Sequence, residues 1–154
     1  MIVSILLPYK ENYSPDYPGA VSLFIHSTTK LSSYKKSILI YGSTNYKKYL
    51  SNNYVNIPLK KKFLRSQSNE YVKKFITLNS KKKPDIIEVH NRPIYIKLIN
   101  KIDAKIVLYF HNDPLSMIGS KKINERINLL NTCSKIIFNS EWSKKRFLEN
   151  LDNI

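Results

Sequence analysis

Two histidine-asparagine pairs are the residues of this sequence whose type and spacing point most clearly to chemistry. His90-Asn91 and His111-Asn112 each stand where a short apolar run stops. Apolar runs of this length are typical of buried strands, and a polar pair that ends one belongs at the carboxyl edge of a sheet. Ligands of open α/β sheets bind at that edge, so we predict that both pairs contribute to a binding or catalytic site.

A lone histidine is usually structural, and we expect this of His26, which lies inside a predicted helix. Two histidines at parallel carboxyl edges instead favour a functional role for His90 and His111. Metal binding by this pair has no support from the sequence, which offers neither a metal-ligand spacing nor a third ligand. We therefore expect no metal site.

A glycine lies between the first predicted strand and the first predicted helix, in the segment Tyr17-Pro18-Gly19-Ala20. Glycine at such a junction lets backbone N–H groups approach a phosphate at a helix N-terminus. The same residues also suit an ordinary turn. The sequence has neither a Gly-x-Gly-x-x-Gly segment nor a Walker lysine, which argues against the dinucleotide-binding and P-loop classes.

The elements that must position these residues alternate along the chain. Short apolar runs predict strands over 2–7, 37–41, 54–57 and 135–139, with further strands beginning at 85 and 105. Helical patterns between them predict helices over 20–31, 68–79, 93–100 and 121–131, and a last helix begins after Ser140, a natural N-cap. This alternation predicts an α/β fold, with a Rossmann-like three-layer α/β/α domain and a mainly parallel sheet.

Helical spacing also predicts which face of each helix is buried. Three sets of residues share a face in the helices 20–31, 68–79 and 121–131. They are Val21, Phe24, Thr28 and Leu31 in the first, Val72, Phe75, Ile76 and Asn79 in the second, and Ile123, Ile127 and Leu130 in the third.

Composition limits the class of protein. The 154 residues suffice for one domain, and 42% hydrophobic residues are ordinary for a globular protein. The apolar runs are far shorter than the roughly 18 residues of a membrane-spanning helix. The N-terminus lacks the basic start and cleavage site of a signal peptide, and a single cysteine, Cys133, excludes an internal disulfide. We therefore expect a cytoplasmic protein.

The formal net charge of +15 has two explanations. One is an anionic partner, such as nucleotide phosphates, an acidic membrane surface or nucleic acid. The other is AT-rich coding, which favours Lys, Asn, Ile, Ser and Tyr without selection for charge. Only four arginines are present, and arginine is the side chain best suited to bidentate phosphate contacts, so nucleic acid is the least favoured partner.

Four segments, taken in order, resemble a known family. They are Pro18-Gly19-Ala20, the stretch Lys-Pro-Asp-Ile-Ile-Glu-Val-His-Asn at 83–91, Ile-Val-Leu-Tyr-Phe-His at 106–111, and Ile-Ile-Phe-Asn-Ser-Glu-Trp-Ser at 136–143. Together they resemble the N-terminal half of the GT-B glycosyltransferases, in the large retaining family that includes glycogen synthases and surface-polysaccharide transferases. The resemblance covers nearly the whole chain. It departs from the family at Gly19-Ala20, where a Gly-Gly pair is usual.

The resemblance implies transfer of a sugar from a nucleotide-sugar donor to a hydroxyl of a glycan, a lipid-linked acceptor or a small molecule, with retained anomeric configuration and no further cofactor. It implies that residues 1–154 are the N-terminal, acceptor-side domain, that the donor-binding C-terminal domain is absent, and that the isolated chain is inactive. The implied roles are transferred-sugar contact and catalysis for His111, donor-phosphate binding for Gly19 and Ala20, and acceptor binding for Tyr17, His90, Asn91, Arg92, Asn112 and Asp113.

Relatives in this family often meet membrane-proximal acceptors, so the resemblance also implies peripheral contact with anionic lipid at the inner membrane face. The basic residues at 60–62, Arg65, Lys73 and Lys74 would supply it. A different class of function stays open, in which the chain is a stand-alone Rossmann-like domain that binds an anionic ligand without catalysis.

Overall fold

The structure is a computed structural model that describes residues 1–59 and 66–151. Strands and helices alternate as the sequence predicts. In chain order the elements are β1 (Val3–Leu6), α1 (Ala20–Leu31), β2 (Ile38–Gly42), β3 (Tyr54–Asn56), α2 (Gln67–Ser80), β4 (Ile86–His90), α3 (Ile96–Ile99), β5 (Lys105–Phe110), α4 (Ile123–Thr132), β6 (Lys135–Phe138) and α5 (Glu141–Leu148). Single turns of 3-10 helix lie at Lys35–Ser37, Pro93–Tyr95 and Pro114–Ser116.

The six strands of the described residues form one parallel sheet in the order β3-β2-β1-β4-β5-β6. All of their carboxyl ends therefore meet at one edge. From β1 the chain adds β2 and β3 on one side, and it then adds β4, β5 and β6 on the other side. The strand order therefore reverses between β1 and β4, which are paired directly, with Leu6 opposite Val89. Ligands of doubly wound sheets bind outside the carboxyl ends at such a reversal, and β4 and β5 lie directly beside it.

Two separate cores show that helices cover both faces of the sheet. On one face Val3 and Ile5 of β1 pack with Ile25 of α1. On the other face Ile87 of β4 packs with Phe75 of α2, in a cluster that also includes residues of α3, α4 and α5. Successive residues of a strand point to opposite faces, so alternate residues of β1 and β4 pack into different cores. The predicted three-layer α/β/α fold is confirmed.

The predicted buried face of α1 is wrong in part. Leu31 is 87% exposed and Thr28 is also exposed, whereas the helix buries Val21, Ser22, Ile25 and Thr29. Val21 was assigned correctly, and Phe24 is half-buried. Ser22 and Thr29 have small polar side chains, and apolar spacing alone cannot identify such positions as buried.

The predicted face of α4 is also wrong in part, at its two ends, whereas Ile127 is half-buried. Ile123 and Leu130 are 38% and 48% exposed, and the buried residues are Arg126 and Leu129. The guanidinium of Arg126 donates to the backbone carbonyls of Phe147, at 2.5 Å, and Glu149, at 2.7 Å. These carbonyls lie at the end of α5 and have no partner within that helix, so Arg126 turns inward to satisfy them. For α2 the prediction is confirmed at Val72, Phe75 and Asn79, which are fully buried.

None of the helices within residues 1–59 and 66–151 combines the length and the apolar character needed to cross a membrane.

Candidate functional site

His90 and His111 lie side by side at the carboxyl edge of the sheet. His90 ends β4, and His111 directly follows β5, the parallel neighbour of β4, in which Tyr109 stands opposite His90. The two imidazole rings stack at 5.1 Å between centroids. Both lie on the sheet face that α1 covers, where the ring of Phe24 meets His111 edge-on at 4.9 Å. The predicted meeting of the two histidines is therefore found in the structure.

The backbone of His111 is fixed by two asparagine side chains. Asn91 adopts a left-handed conformation, with φ of 51°, that asparagine tolerates better than most residues. This turn brings its Oδ1 to the backbone N–H of His111, at 2.8 Å, while Asn139 Nδ2 donates to the backbone carbonyl of His111 at 2.7 Å. Asn91 is 6% exposed, so its bond to His111 is partly shielded from water, whereas the bond from the exposed Asn139 is not. The histidine is held firmly in place before any ligand arrives.

Three side chains form a hydrogen-bonded chain along this face. Glu88 Oε1 accepts from His90 Nε2 at 2.5 Å, and His90 Nδ1 lies 2.8 Å from His111 Nε2. The side chain of His90 is fully buried, whereas that of Glu88 is 26% exposed. A buried imidazole requires partners for both nitrogens, and this one has them. The chain leads from a carboxylate on β4 to the ring that faces the carboxyl edge.

The His111 ring is held in a neutral state at physiological pH. Burial, together with the neighbouring His90, lowers the pKa of His111 from 6.5 to about 4, and the carboxylate of Glu88 opposes this in part. Tyr109 stacks on His111 at 4.4 Å, and burial followed by the charge of Glu88 raises the pKa of that phenol. A neutral imidazole can both accept and donate a hydrogen bond, which suits it to bind hydroxyl groups.

A cleft of about 420 Å³ opens at the same carboxyl edge of the sheet, on the side of Asn91 and Asn112, the residues that directly follow the two histidines in the chain; the histidines themselves are not among the described residues that line it. It is lined by those two asparagines, by Arg92, and by Ser68 of α2, with Met117 and Ile118 on the loop after β5. Gly119 shapes this loop, because its φ is 96° and a Cβ there would lie 2.6 Å from the backbone nitrogen of Ile94. The cleft combines amides, a guanidinium and apolar walls, a composition that suits a polar small molecule.

Arg92 and Asp113 have structural partners at this edge. Arg92 is exposed and donates from Nη1 to the carbonyl of Asn91 at 2.8 Å. Asp113 caps the 3-10 turn that follows it, by accepting from the N–H of Leu115 at 3.0 Å, and its other oxygen lies 3.5 Å from Nη2 of Arg146 on α5. Asp113 therefore fixes the loop that borders the cleft. It does not line the cleft itself within the part of the chain that the structure describes.

The predicted phosphate position at Gly19 and Ala20 already holds an anion. Gly19 is the N-cap of α1, and the carboxylate of Glu11 accepts from the N–H of Ser22, in the first turn, at 3.1 Å. A Cβ at Gly19 would lie 1.9 Å from Glu11 Oε1, so the glycine is what admits this carboxylate. A helix N-terminus attracts negative charge. A diphosphate could bind at Ala20 only after Glu11 moved aside.

The predicted site residues are brought together unequally. His90, Asn91, Arg92, His111 and Asn112 share the edge of β4 and β5. Residues 19 and 20 begin the helix whose Phe24 contacts His111. Tyr17 is 69% exposed, and its ring pairs with that of Tyr46, 5.8 Å away, on the loop after β2. The Tyr17 ring therefore lies on the β2 side of β1, away from the site residues at the ends of β4 and β5.

Three residues of the site were missed by the sequence reasoning. Glu11 and Gly119 gave no signal, because their roles depend on contacts between separate loops. Glu88 did give one: it stands two residues before His90 on a predicted strand, and residues two apart on a strand share a face. An acidic residue within an apolar strand, aligned with a histidine, could have been predicted to pair with it.

Across residues 1–59 and 66–151, no three or more His, Cys, Asp or Glu side chains converge as they would around a metal ion. Cys133 is a free thiol whose pKa is raised to about 12 by burial, so it is a poor nucleophile.

The predicted basic surface can be described only in part. Residues 60–65, which carry four of its six basic side chains, lie outside the described residues. Lys73 is exposed on α2, and the ammonium of Lys74 donates to the carbonyl of Pro58 at 2.6 Å. Contact with anionic lipid stays a prediction.

The sequence matches no protein-family model and no curated protein. The chemistry available to the chain must therefore be inferred from the side chains at the edge of β4 and β5.

Proposed function

We propose that this chain is the acceptor-side domain of a retaining, nucleotide-sugar-dependent glycosyltransferase. The observation that carries the proposal is the neutral His111 at the carboxyl edge of β5, joined to the buried His90 and fixed through its backbone by Asn91. Such a ring carries no charge of its own, and it can bind hydroxyl groups of a sugar by accepting or donating a hydrogen bond. The position beside the chain reversal of a parallel sheet is also where nucleotides and their conjugates bind.

In the proposed reaction, the anomeric carbon of the donor sugar loses its bond to a phosphate oxygen and gains one to the oxygen of the acceptor hydroxyl, whose hydrogen passes to the departing phosphate. His111 contacts the transferred sugar and holds it in the reacting orientation, a contribution that can lower the barrier by several kcal/mol. The cleft beside it receives the acceptor, whose hydroxyl groups suit the amides of Asn91 and Asn112 and the guanidinium of Arg92. Charge on the leaving diphosphate is met by the N-terminus of α1 once Glu11 has moved.

A second candidate function is the binding of an anionic ligand without catalysis. One observation favours it: Arg92 is exposed at the wall of the cleft, in a chain with a net charge of +15. An arginine in that position suits a carboxylate or a phosphate. The two candidates differ in the group that they recognise, because the first requires a sugar and the second requires only a charge.

Nuclear magnetic resonance titration of the isotope-labelled chain separates these candidates. UDP-glucose, GDP-mannose and inorganic pyrophosphate are added in parallel to the wild-type chain, to His111→Ala and to His26→Ala. His26 is a half-buried histidine outside the cluster, so its variant is the matched control. We expect at least one nucleotide-sugar to shift the resonances of His111 and Asn112, pyrophosphate to leave them unshifted, and only His111→Ala to abolish the response.

Two outcomes contradict the proposal. Equal shifts with pyrophosphate and with the nucleotide-sugars assign the site to anion binding. Shifts that are absent with every nucleotide-sugar, or that survive His111→Ala unchanged, remove His111 from the function altogether.

A further inference from the structure

The hydrogen-bonded chain that ends at His111 begins at Glu88, a residue with no role in the function proposed above. Glu88 lines a groove of about 370 Å³ beside α1, among apolar strand residues that include Ile86, Val107 and Ile137. A carboxylate in an apolar strand face is costly unless it is paired. Its partner is His90 Nε2 at 2.5 Å, and the imidazole of His90 then reaches His111.

The positions of the ring hydrogens follow from this order. A carboxylate has no hydrogen to donate, so the hydrogen between Glu88 and His90 belongs to His90 Nε2. If the His90 ring carries only this one hydrogen, its Nδ1 is an acceptor for the hydrogen of His111 Nε2, 2.8 Å away. His111 keeps a lone pair on Nδ1. Within the described residues, no protein group is hydrogen-bonded to that Nδ1 atom.

We propose that Glu88 is a positioning residue that acts through His90 to hold His111 in one tautomer, with its hydrogen on Nε2, so that Nδ1 accepts a hydrogen bond from a hydroxyl of the bound sugar. This inference rests on the proposed function for the identity of the ligand. It also adds a rule of specificity. A lone pair at Nδ1 attracts an O–H group and repels the oxygens of a phosphate, so this side of the site takes the sugar and not the diphosphate.

The tautomer can be measured directly in the ligand-free chain. With 15N-labelled histidine, two-bond 1H–15N spectra distinguish a ring nitrogen that carries a hydrogen from one that does not, at pH 7. We expect His111 to show a protonated Nε2 and an unprotonated Nδ1, and His90 to show the same pattern. A protonated Nδ1 on His111, with both nitrogens of His90 protonated, would overturn the inference, because His90 would then donate to His111 as an imidazolium.

Variants test whether Glu88 is the cause. In Glu88→Gln the amide can either accept from or donate to His90 Nε2, so both tautomers become available and the His111 signals should move toward the average of the two. Glu141→Gln, on the exposed first turn of α5, is the matched control and should leave them unchanged. His90→Phe keeps an aromatic ring beside Tyr109 but has no nitrogens. It should produce the averaged signals by itself, and Glu88→Gln should then add no further change.

The same variants separate this inference from the proposed function. If both tautomers of Glu88→Gln are equally populated, half of the molecules are competent, and the Kd for a nucleotide-sugar that binds the wild-type chain should rise about twofold. If no nucleotide-sugar binds, the proposed function fails, while the spectra of the ligand-free chain still decide the tautomer. If the His111 signals are the same in the wild-type chain, in Glu88→Gln and in His90→Phe, then Glu88 does not determine the tautomer of His111.

Discussion

Asn91 offers the sharpest test of how the site is built, since its backbone and its side chain contribute separately. In Asn91→Ala, alanine must adopt a φ of 51° without the side-chain amide that helps asparagine to tolerate this conformation, which costs about 1 kcal/mol of stability. The N–H of His111 also loses its partner at 2.8 Å, and a partly buried donor left unsatisfied costs about 1 to 3 kcal/mol. We therefore expect the free energy of unfolding to fall by about 2 to 4 kcal/mol.

Companion variants separate the two contributions. Asn91→Gly adopts positive φ easily and should recover about 1 kcal/mol of the loss. Asn91→Asp keeps an oxygen acceptor for His111 and should lose less than Asn91→Ala. Asn150 also has positive φ, at 61°, but lies exposed near the end of α5, so Asn150→Ala should show only the backbone cost of about 1 kcal/mol.

Urea unfolding at pH 7, followed by circular dichroism, measures all four variants, and the His111 resonances report whether the ring has moved. The reasoning is refuted if Asn91→Ala loses no more stability than Asn150→Ala. It is equally refuted if Asn91→Ala leaves the His111 resonances unshifted, since the amide would then not fix that residue.

His111 should titrate near pH 4, in an environment set by Glu88, His90 and Tyr109. In the unfolded chain the same histidine has a pKa of about 6.5, so the unfolded state binds a proton more readily than the folded state. The free energy of unfolding should therefore fall as the pH drops from 6.5 to 4, by about 1 to 2 kcal/mol after solvent screening of a half-buried ring. Urea unfolding of wild-type and His111→Phe chains across this range measures the difference, and parallel curves would contradict it. Gly119→Ala should lower the free energy of unfolding by about 2 kcal/mol or more, because its Cβ would meet the backbone of Ile94 at positive φ; a loss under about 0.5 kcal/mol would contradict the close approach. Glu11→Gln should strengthen binding of a nucleotide-sugar in calorimetry, because the carboxylate that competes for the N-terminus of α1 becomes neutral. An unchanged Kd would place the donor phosphates elsewhere.

The elements of this fold could be predicted because their signals are local. Apolar runs of strand length, separated by helical patterns and ended by His-Asn pairs, fix both the parallel sheet and the edge at which His90 and His111 meet. The bounds of α1, Ala20–Leu31, agree with the prediction because the residues that precede the helix include a proline and a glycine.

Contacts between distant segments could not be predicted in the same way. The apolar spacing of Ile123, Ile127 and Leu130 suggested a buried face, but the carbonyls at the end of α5 draw Arg126 inward instead. The capping of α1 by Glu11 likewise depends on how the loop after β1 folds back on the helix. Such pairings depend on three-dimensional proximity, which hydropathy and helical periodicity do not encode.

The most direct measurement of the central claim is an intermolecular nuclear Overhauser effect between the His111 ring and a bound nucleotide-sugar. The chain, labelled only at histidine, is mixed with the donor that gives the strongest shifts in the titration. Because His111 is proposed to contact the transferred sugar, its ring protons should show cross-peaks to the anomeric proton and its neighbours on the sugar. Cross-peaks to the ribose or the base alone, or from His26 in place of His111, would contradict the account.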